Sequence, residues 1–295
     1  MTSTPRKILV ATDFSSTADS AEKLAFQLAR LLRAELHLVH VRVILEDPLM
    51  AEERQLEIER LMSSADEATK DAFDRTRGGD REIVVETHLV RSVSAAEAIV
   101  ETASELECDL VVMGTHGRRG IKHMLLGSVA ENVVRSVDIP VLTVRPGIEV
   151  ATLGPKRILV AHDFSDRSAT AVRVAGDWAT DFDAKITVLH VVEPVVYPEF
   201  YAINVLSDDV MTRLRDRATE ALDDAADKIL GDRPVNTLVL VGRATDTIIA
   251  EARPENFDLV VMGTRGLTGL EQLVLGSVAE GVLRRCPVPL LTVSG

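Results

Sequence analysis

The sequence predicts an α/β protein of two tandem, doubly wound domains, each on a mostly parallel five-stranded sheet. Three observations predict it. The chain of 295 residues repeats itself: Arg6-Lys7-Ile8-Leu9-Val10-Ala11-Thr12-Asp13-Phe14-Ser15 recurs as Lys156-Arg157-Ile158-Leu159-Val160-Ala161-His162-Asp163-Phe164-Ser165, and Leu38-Val39-His40-Val41 as Val188-Leu189-His190-Val191. Short apolar runs alternate with longer runs of helical period, which implies crossover connections and a parallel sheet covered on both faces. Third, Val111-Val112-Met113-Gly114-Thr115-His116-Gly117, nine residues and Gly127-Ser128 return as Val260-Val261-Met262-Gly263-Thr264-Arg265-Gly266, nine residues and Gly276-Ser277. The repeat sets domains at 1–146 and 154–295, joined by proline and glycine punctuation from Arg145-Pro146-Gly147 to Gly154-Pro155.

In the first domain Lys7 to Ala11 reads as a buried strand. Ser15 or Ser16 can cap the helix that carries Ala21, Leu24, Ala25, Leu28, Leu31 and Leu32 on one face. Glu35 to Arg42 is a second strand, and Leu56, Leu61, Met62, Ala65, Ala68, Ala72 and Phe73 suggest an amphipathic helix after it. A third strand covers Glu82 to Val90, then follow a helix from Ala95 to Ala103, a strand from Asp109 to Met113, a helix from Ser128 and a last strand from Pro140 to Val144. The second domain repeats the order, with a helix at Ala169 to Thr180 and strands at Lys185 to Val192 and Thr237 to Val241. Between those strands Val210, Leu214, Ala218, Leu222, Ala225 and Ile229 mark an amphipathic helix.

Composition narrows the function. The chain is 46% hydrophobic and 27% charged, as a soluble globular protein is. Its 33 basic and 46 acidic residues give a net charge of −13, which argues against nucleic acid or an anionic membrane as a general partner. No apolar run approaches the ~20 residues of a membrane span, and the amino terminus has no signal-peptide core, so a cytoplasmic protein is expected. Cys108 and Cys286 hold non-equivalent positions without a CxxC, and both read as packing residues.

The glycine motif carries the chemistry. It begins at a strand's carboxyl end and leads into a helix whose first N–H groups have no intrahelical partner. Those donors, the positive end of the helix dipole and a serine hydroxyl can hold an anion, most plausibly phosphate. Glycine fits a backbone that wraps phosphate, because it allows positive φ and close approach. In an open sheet, ligands lie at carboxyl ends where strand order reverses; Asp13, Val41 and Gly114, and likewise Asp163, Val191 and Gly263, fall on such a rim. An aspartate there can accept from a ribose or adenine donor, or can simply cap the next helix.

The pattern Gly-x2-Gly-x9-Gly-Ser, with Asp after the first strand and His-Val closing the second, resembles the universal stress protein family in its tandem form, across almost the whole chain. The resemblance implies an adenine nucleotide α-hydrolase-like sheet and, for the glycine-motif branch, ATP binding, with Mg2+ on the phosphates. It places Asp13 and Val41 at the adenosine end, and Met113, Gly114, Gly117, Gly127, Ser128 and Val129 around ribose and phosphates. Asp163, Val191, Met262, Gly263, Gly266, Gly276, Ser277 and Val278 take those places in the second domain. It also implies a stress role expressed through conformation or partners, and pairing of the apolar last strands into a pseudo-dimer, with room for further homodimerisation.

Other readings are weaker on pattern. There is no Gly-x4-Gly-Lys-Ser/Thr, no dinucleotide fingerprint after the first strand and no paired-histidine metal motif. His40 and His190 occupy matching strand positions and read as satisfied rim histidines, while His116 faces Arg265 and His162 faces Thr12 across the repeat. No catalytic residues and at most slow ATP hydrolysis are expected. The alternatives are an ATP-dependent transferase or hydrolase of the same wider group, and a scaffold that binds no nucleotide. Within the nine-residue loop, Arg118, Arg119, Lys122 and His123 stand against Leu267, Thr268, Glu271 and Gln272, which predicts tighter triphosphate binding in the first domain. Val93 stands where the second domain has Gly242, a change that would distort the first pocket if this turn contributes to its wall, and so works against the charge difference.

Overall fold

Alternation of side chains along buried strands decides the layering. The computed structural model describes residues 4–15, 18–44, 66–74, 83–115, 126–148, 154–193, 208–264 and 275–294. The first half runs β1 (Lys7–Ala11), α1 (Asp19–Leu32), β2 (Glu35–Val43), α2 (66–74), β3 (Val85–Ser92), α3 (Ala95–Glu105), β4 (Leu110–Gly114), α4 (Ser128–Ser136) and β5 (Val141–Val144). The second runs β6 (Arg157–Ala161), α5 (Asp166–Phe182), β7 (Lys185–Val192), α6 (Asp208–Leu230), β8 (Val235–Val241), α7 (Ala244–Glu251), β9 (Leu259–Gly263), α8 (Ser277–Arg285) and β10 (Leu290–Val293).

The described strands form one ten-stranded sheet in the order β3-β2-β1-β4-β5-β10-β9-β6-β7-β8. Each half is parallel throughout, and strand order reverses at β1 and at β6. Ile8, Val10, Leu110 and Val112 face α1, and the same core continues through Ile158, Val160 and Trp178 of the second half. Leu9, Val111 and Met113 face α3 and α4 on the other side, continuous with Leu159, Val260 and the α7 and α8 side chains. The two cores therefore run across both halves, one on each face of the sheet.

The seam is the pairing of β5 with β10. It is antiparallel, with Leu142 opposite Leu291 at its centre. Thr143 Oγ1 donates to Leu290 O, and Thr292 Oγ1 donates to Val141 O, each at 3.2 Å, so the two strands exchange equivalent bonds. The expected intramolecular pseudo-dimer is thus present.

The acids that lead β4 and β9 have a structural task. Asp109 Oδ2 accepts from the backbone N–H groups of Arg6 and Lys7 at 2.8 and 3.0 Å, and Asp258 Oδ2 from Lys156 and Arg157 at 2.9 Å each. Each carboxylate fixes the start of the neighbouring central strand. Burial opposes the charge on Asp258, but the Arg157 side chain and these N–H donors outweigh it and hold its carboxyl below the usual range.

Several boundaries differ from expectation. β3 starts at Val85, where Leu36 of β2 first offers a partner, rather than at Glu82, which lies outside the described residues. In α2, Thr69, Ala72 and Phe73 are buried while Ala68 is exposed, and Leu56, Leu61, Met62 and Ala65 lie outside the described residues. In α6, Leu222, Ala226 and Leu230 are buried, but Val210 and Leu214 are exposed. A 23-residue helix is about 34 Å long, more than the strands it covers, so its first turns overhang the sheet. α1 starts at Asp19 with Ala18 as its N-cap and no side-chain cap, so Ser15 does not cap it, and Ser16 lies outside the described residues. In the second half Ser165 does cap α5, accepting from Ser168 N at 3.2 Å.

No helix among the described residues is long and apolar enough to cross a membrane. Both cysteines are buried, and burial pushes the Cys108 thiol up to about 11 and the Cys286 thiol to about 12. The thiolate is the reactive form. The native protein should therefore leave both cysteines unmodified by a thiol-disulfide reagent at pH 8, and both should react within minutes after denaturation in guanidinium. Rapid labelling of the native chain would contradict the packing role.

Candidate functional site

The rim of each half is assembled from three stretches. The first follows the central strand. After β1 the chain turns through Phe14, a non-glycine residue at φ 57°, and after β6 through Phe164 at φ 64°. Such conformations need support. Asp13 Oδ1 accepts from Ser15 N and Ser15 Oγ at 3.1 and 2.5 Å, and Asp163 Oδ1 accepts from Ser165 N and Oγ at 3.1 and 2.6 Å. Neither aspartate is the N-cap of its helix. Both hold a tight turn and stand half-buried at the strand's carboxyl end.

The second stretch is the neighbouring strand. His40 Nδ1 lies 2.8 Å from Thr12 O, and His190 Nδ1 2.8 Å from His162 O. A carbonyl only accepts, so Nδ1 carries the proton in both rings. The rings also lie 5.0 and 4.6 Å from those of Phe14 and Phe164. These histidines brace the turns, as their matching positions suggested. Val41 and Val191 follow them, half-buried and packed on the α3–α4 and α7–α8 cores, two residues beyond the last position paired with the central strand.

The third stretch is the glycine motif. Gly127 N donates to Thr115 O, and Gly276 N donates to Thr264 O, each at 2.9 Å, so each loop returns to the strand end it left. Gly117 and Gly266 lie outside the described residues, as do Arg118, Arg119, Lys122, His123, Leu267, Thr268, Glu271 and Gln272. Gly127 and Gly276 are the N-caps of α4 and α8, with no side-chain cap bond. Ser128 and Ser277 are therefore first helical residues, exposed, and not caps. The helix geometry leaves the N–H groups of 128–130 and 277–279 without intrahelical acceptors, since the first bonds come from Glu131 N to Gly127 O and Glu280 N to Gly276 O. Val129 and Val278 are half-buried against the core behind them.

The expected positive φ is not what these glycines supply. Gly127 and Gly276 have φ of −66° and −62°. What Gly263 supplies is close approach: a Cβ there would lie 3.3 Å from the backbone carbon of Arg167 in the first turn of α5. Gly263 is buried under that turn, whereas Gly114 is half-buried, since α1 begins one turn later than α5. Met113 and Met262 present only main chain to the rim, because their side chains are buried in the core.

The turn before α3 is one residue longer than its counterpart. Strand register matches Ser92 with Gly242, and the helix caps match Ser94 with Arg243, so Val93 is an insertion and not a replacement. A Cβ on Gly242 would meet Thr247 Oγ1 at 2.7 Å. The extra residue lets the first half make this connection without glycine, and exposed Val93 points away from the core.

Beneath the rims the halves differ in buried polarity. Thr12 Oγ1 accepts from Phe14 N at 2.9 Å and donates to the Glu22 carboxylate. The second half has His162 and Val172 at these positions, and burial pushes the His162 imidazole down. Burial also pushes the Glu22 carboxyl up, against the Thr12 hydroxyl bond, and the charges of Asp19 and Asp13 add to the rise. A folded pKa above the ordinary 4.5 means that the folded state holds this proton more tightly than the unfolded chain. This contribution is fully present below pH 4.5 and is lost as pH rises through the folded pKa. Glu22→Gln should therefore raise the melting temperature at pH 8 and flatten that decline. A variant with an unchanged or steeper decline would show that Glu22 is not its source.

His37, Glu86 and His88 also come together, on β2 and β3, at the amino-terminal side of the sheet away from the rim. Forty-nine or more positions separate β3's contributors from His37 in sequence, so no motif scan finds them. The register pairs His37 with Glu86 and Val39 with His88, which is the signal that unites them.

Comparison with known proteins agrees with the repeat. The model of the universal stress protein family matches residues 4–145 and 154–294. A universal stress protein of Thermus aquaticus is 36% identical over 138 residues, covering 47% of this chain and 98% of its own length. One from Mycobacterium tuberculosis is 28% identical over 313 residues, covering 98% of both chains. The crystal structure of a universal stress protein from Archaeoglobus fulgidus superposes with a TM-score of 0.70 at 21% identity, over 98% of each chain, and shares the fold. Two matched domains, one repeated rim and one continuous sheet lead to the same conclusion: the chain belongs to the universal stress protein family, in its tandem two-domain form.

Proposed function

We propose that each rim binds ATP, and that the protein acts in stress response through nucleotide-dependent conformation or partner binding. The observation that carries this reading is the pair of uncapped helix N-termini, α4 and α8, each behind a glycine and each closing a loop onto the strand beside the central one. N–H groups without intrahelical acceptors and the helix dipole favour phosphate there despite the chain's net charge of −13. Asp13 and Asp163, held by their turns, suit hydroxyl or amine donors of the nucleoside and would repel phosphate. Mg2+ would be carried on the phosphate oxygens, supplying charge neutralisation. His40 and His190 hold turn carbonyls, which supports a binding role with at most slow hydrolysis.

The freshly purified protein should release about two equivalents of adenine nucleotide per chain on denaturation, read by ion-exchange chromatography, or bind them when Mg-ATP is added. ATP at a hundred times its Kd should stabilise the fold by about 2.7 kcal/mol per site. Neither nucleotide nor a rise in melting temperature would favour the scaffold reading, and rapid turnover would favour an enzyme. A homodimer would need a surface other than the seam, because β5 and β10 already pair with each other. A monodisperse monomer at micromolar concentration would remove it.

A further inference from the structure

We propose that the first half carries a second kind of site, for a divalent first-row transition metal ion such as Zn2+, formed by His37, His88 and Glu86. The three lie on the sheet face covered by α3 and α4, near the starts of β2 and the edge strand β3. His37 Nδ1 is 3.1 Å from His88 Nε2 and 3.6 Å from Glu86 Oε2. Ligand atoms on a tetrahedral Zn2+ with bonds of about 2.0–2.1 Å stand about 3.3 Å apart, between those two separations. Two imidazoles and a carboxylate suit Zn2+, Co2+ or Ni2+ better than Mg2+ or Ca2+. A fourth position would face solvent on the side of exposed Glu86.

A second observation points the same way. His37 is only 4% exposed, and its Nε2 is buried without a hydrogen-bond partner. A neutral His37–His88 hydrogen bond accounts for one nitrogen of His37 and leaves the other orphaned. With a metal on Nδ1, the proton sits on Nε2, which lies 3.9 Å from Glu35 Oε2. Glu35 is exposed and has freedom to close that gap, giving the carboxylate–histidine–metal relay that orients many ligating histidines. The repeat supplies an internal control. Register puts Lys185, Thr187, Asn236 and Leu238 of the second half at the positions of Glu35, His37, Glu86 and His88, and that set offers no such donors.

The test uses the untagged full-length chain, stripped with EDTA, desalted and titrated with Co2+. Visible ligand-field bands of a tetrahedral ion should saturate at one equivalent per chain, and one equivalent of Zn2+ should abolish them. The double variant His37→Thr/His88→Leu, which copies the second half, should weaken binding at least a hundredfold. Glu35→Gln should weaken it about tenfold, as loss of an orienting partner does. Glu86→Gln changes an exposed side chain, so its fold is secure, and it should weaken binding at least tenfold. Absence of the bands, or affinity unchanged in either the double variant or Glu86→Gln, would overturn the proposal.

Discussion

Leu291→Asp should lose more than about 5 kcal/mol of stability and part the two halves. Leu291 is fully buried at the centre of the seam, and Leu142 opposite it is 1% exposed. Truncating a buried leucine costs about 2–5 kcal/mol in lost transfer energy and cavity formation. An ionised carboxylate in the same place adds several more for desolvation, and neither β5 nor β10 has a basic residue to meet it. Folded domains commonly hold only about 5–15 kcal/mol in total. Leu291→Ala, by contrast, should lose about 2–5 kcal/mol and stay folded. Urea unfolding followed by circular dichroism and by fluorescence of Trp178, the sequence's single tryptophan and a member of the shared core, would measure both. A wild-type midpoint for Leu291→Asp would mean that the seam contributes little to stability.

The second large effect concerns the glycine caps. Gly127→Asp and Gly276→Asp should each remove one of the two proposed ATP equivalents and weaken that site by about a thousandfold. Both positions have ordinary φ, so the new side chain meets no backbone strain. Aspartate is moreover a favoured N-cap, which would accept from the very N–H groups that phosphate needs. One added negative charge about 4 Å from a phosphate costs about 4 kcal/mol at an effective dielectric near 20, which is close to three powers of ten. The remaining site in Gly276→Asp, with Arg118, Arg119 and Lys122 in its loop, should bind more tightly than the one left in Gly127→Asp, which has Glu271. Calorimetry with Mg-ATP measures both, and equal residual affinities would remove the charge asymmetry.

Most of the fold was legible because strand and helix periods are written into the repeat. β1, β7 and the start of α4 stand at their expected residues, since burial on both faces leaves a strand's apolar run little latitude. The misses share a cause: each depends on what lies next to the residue and not on its neighbours in sequence. Ser15 and Ser165 sit in identical local sequence through Asp and Phe, yet only Ser165 caps, because α5 begins a turn earlier than α1. Val93 looked like a replaced glycine until register revealed an inserted residue. Gly263 is small because Arg167 lies against it, and nothing in the motif itself says so. Asp109 and Asp258, at the heads of β4 and β9, lock the starts of two other strands, β1 and β6, in place.

The antiparallel seam has a consequence for the two proposed sites. Because every strand of one half runs against every strand of the other, the two carboxyl rims open on opposite edges of the sheet. No single small ligand can touch both, and a protein that reads both must reach around the molecule or bind two copies of it. Coupling between the rims has two routes, the four-residue pair β5 and β10 and the two cores that run across both halves. If each rim binds nucleotide as proposed, the substitution that weakens the join at Leu142 and Leu291 should also weaken the communication between the two ends.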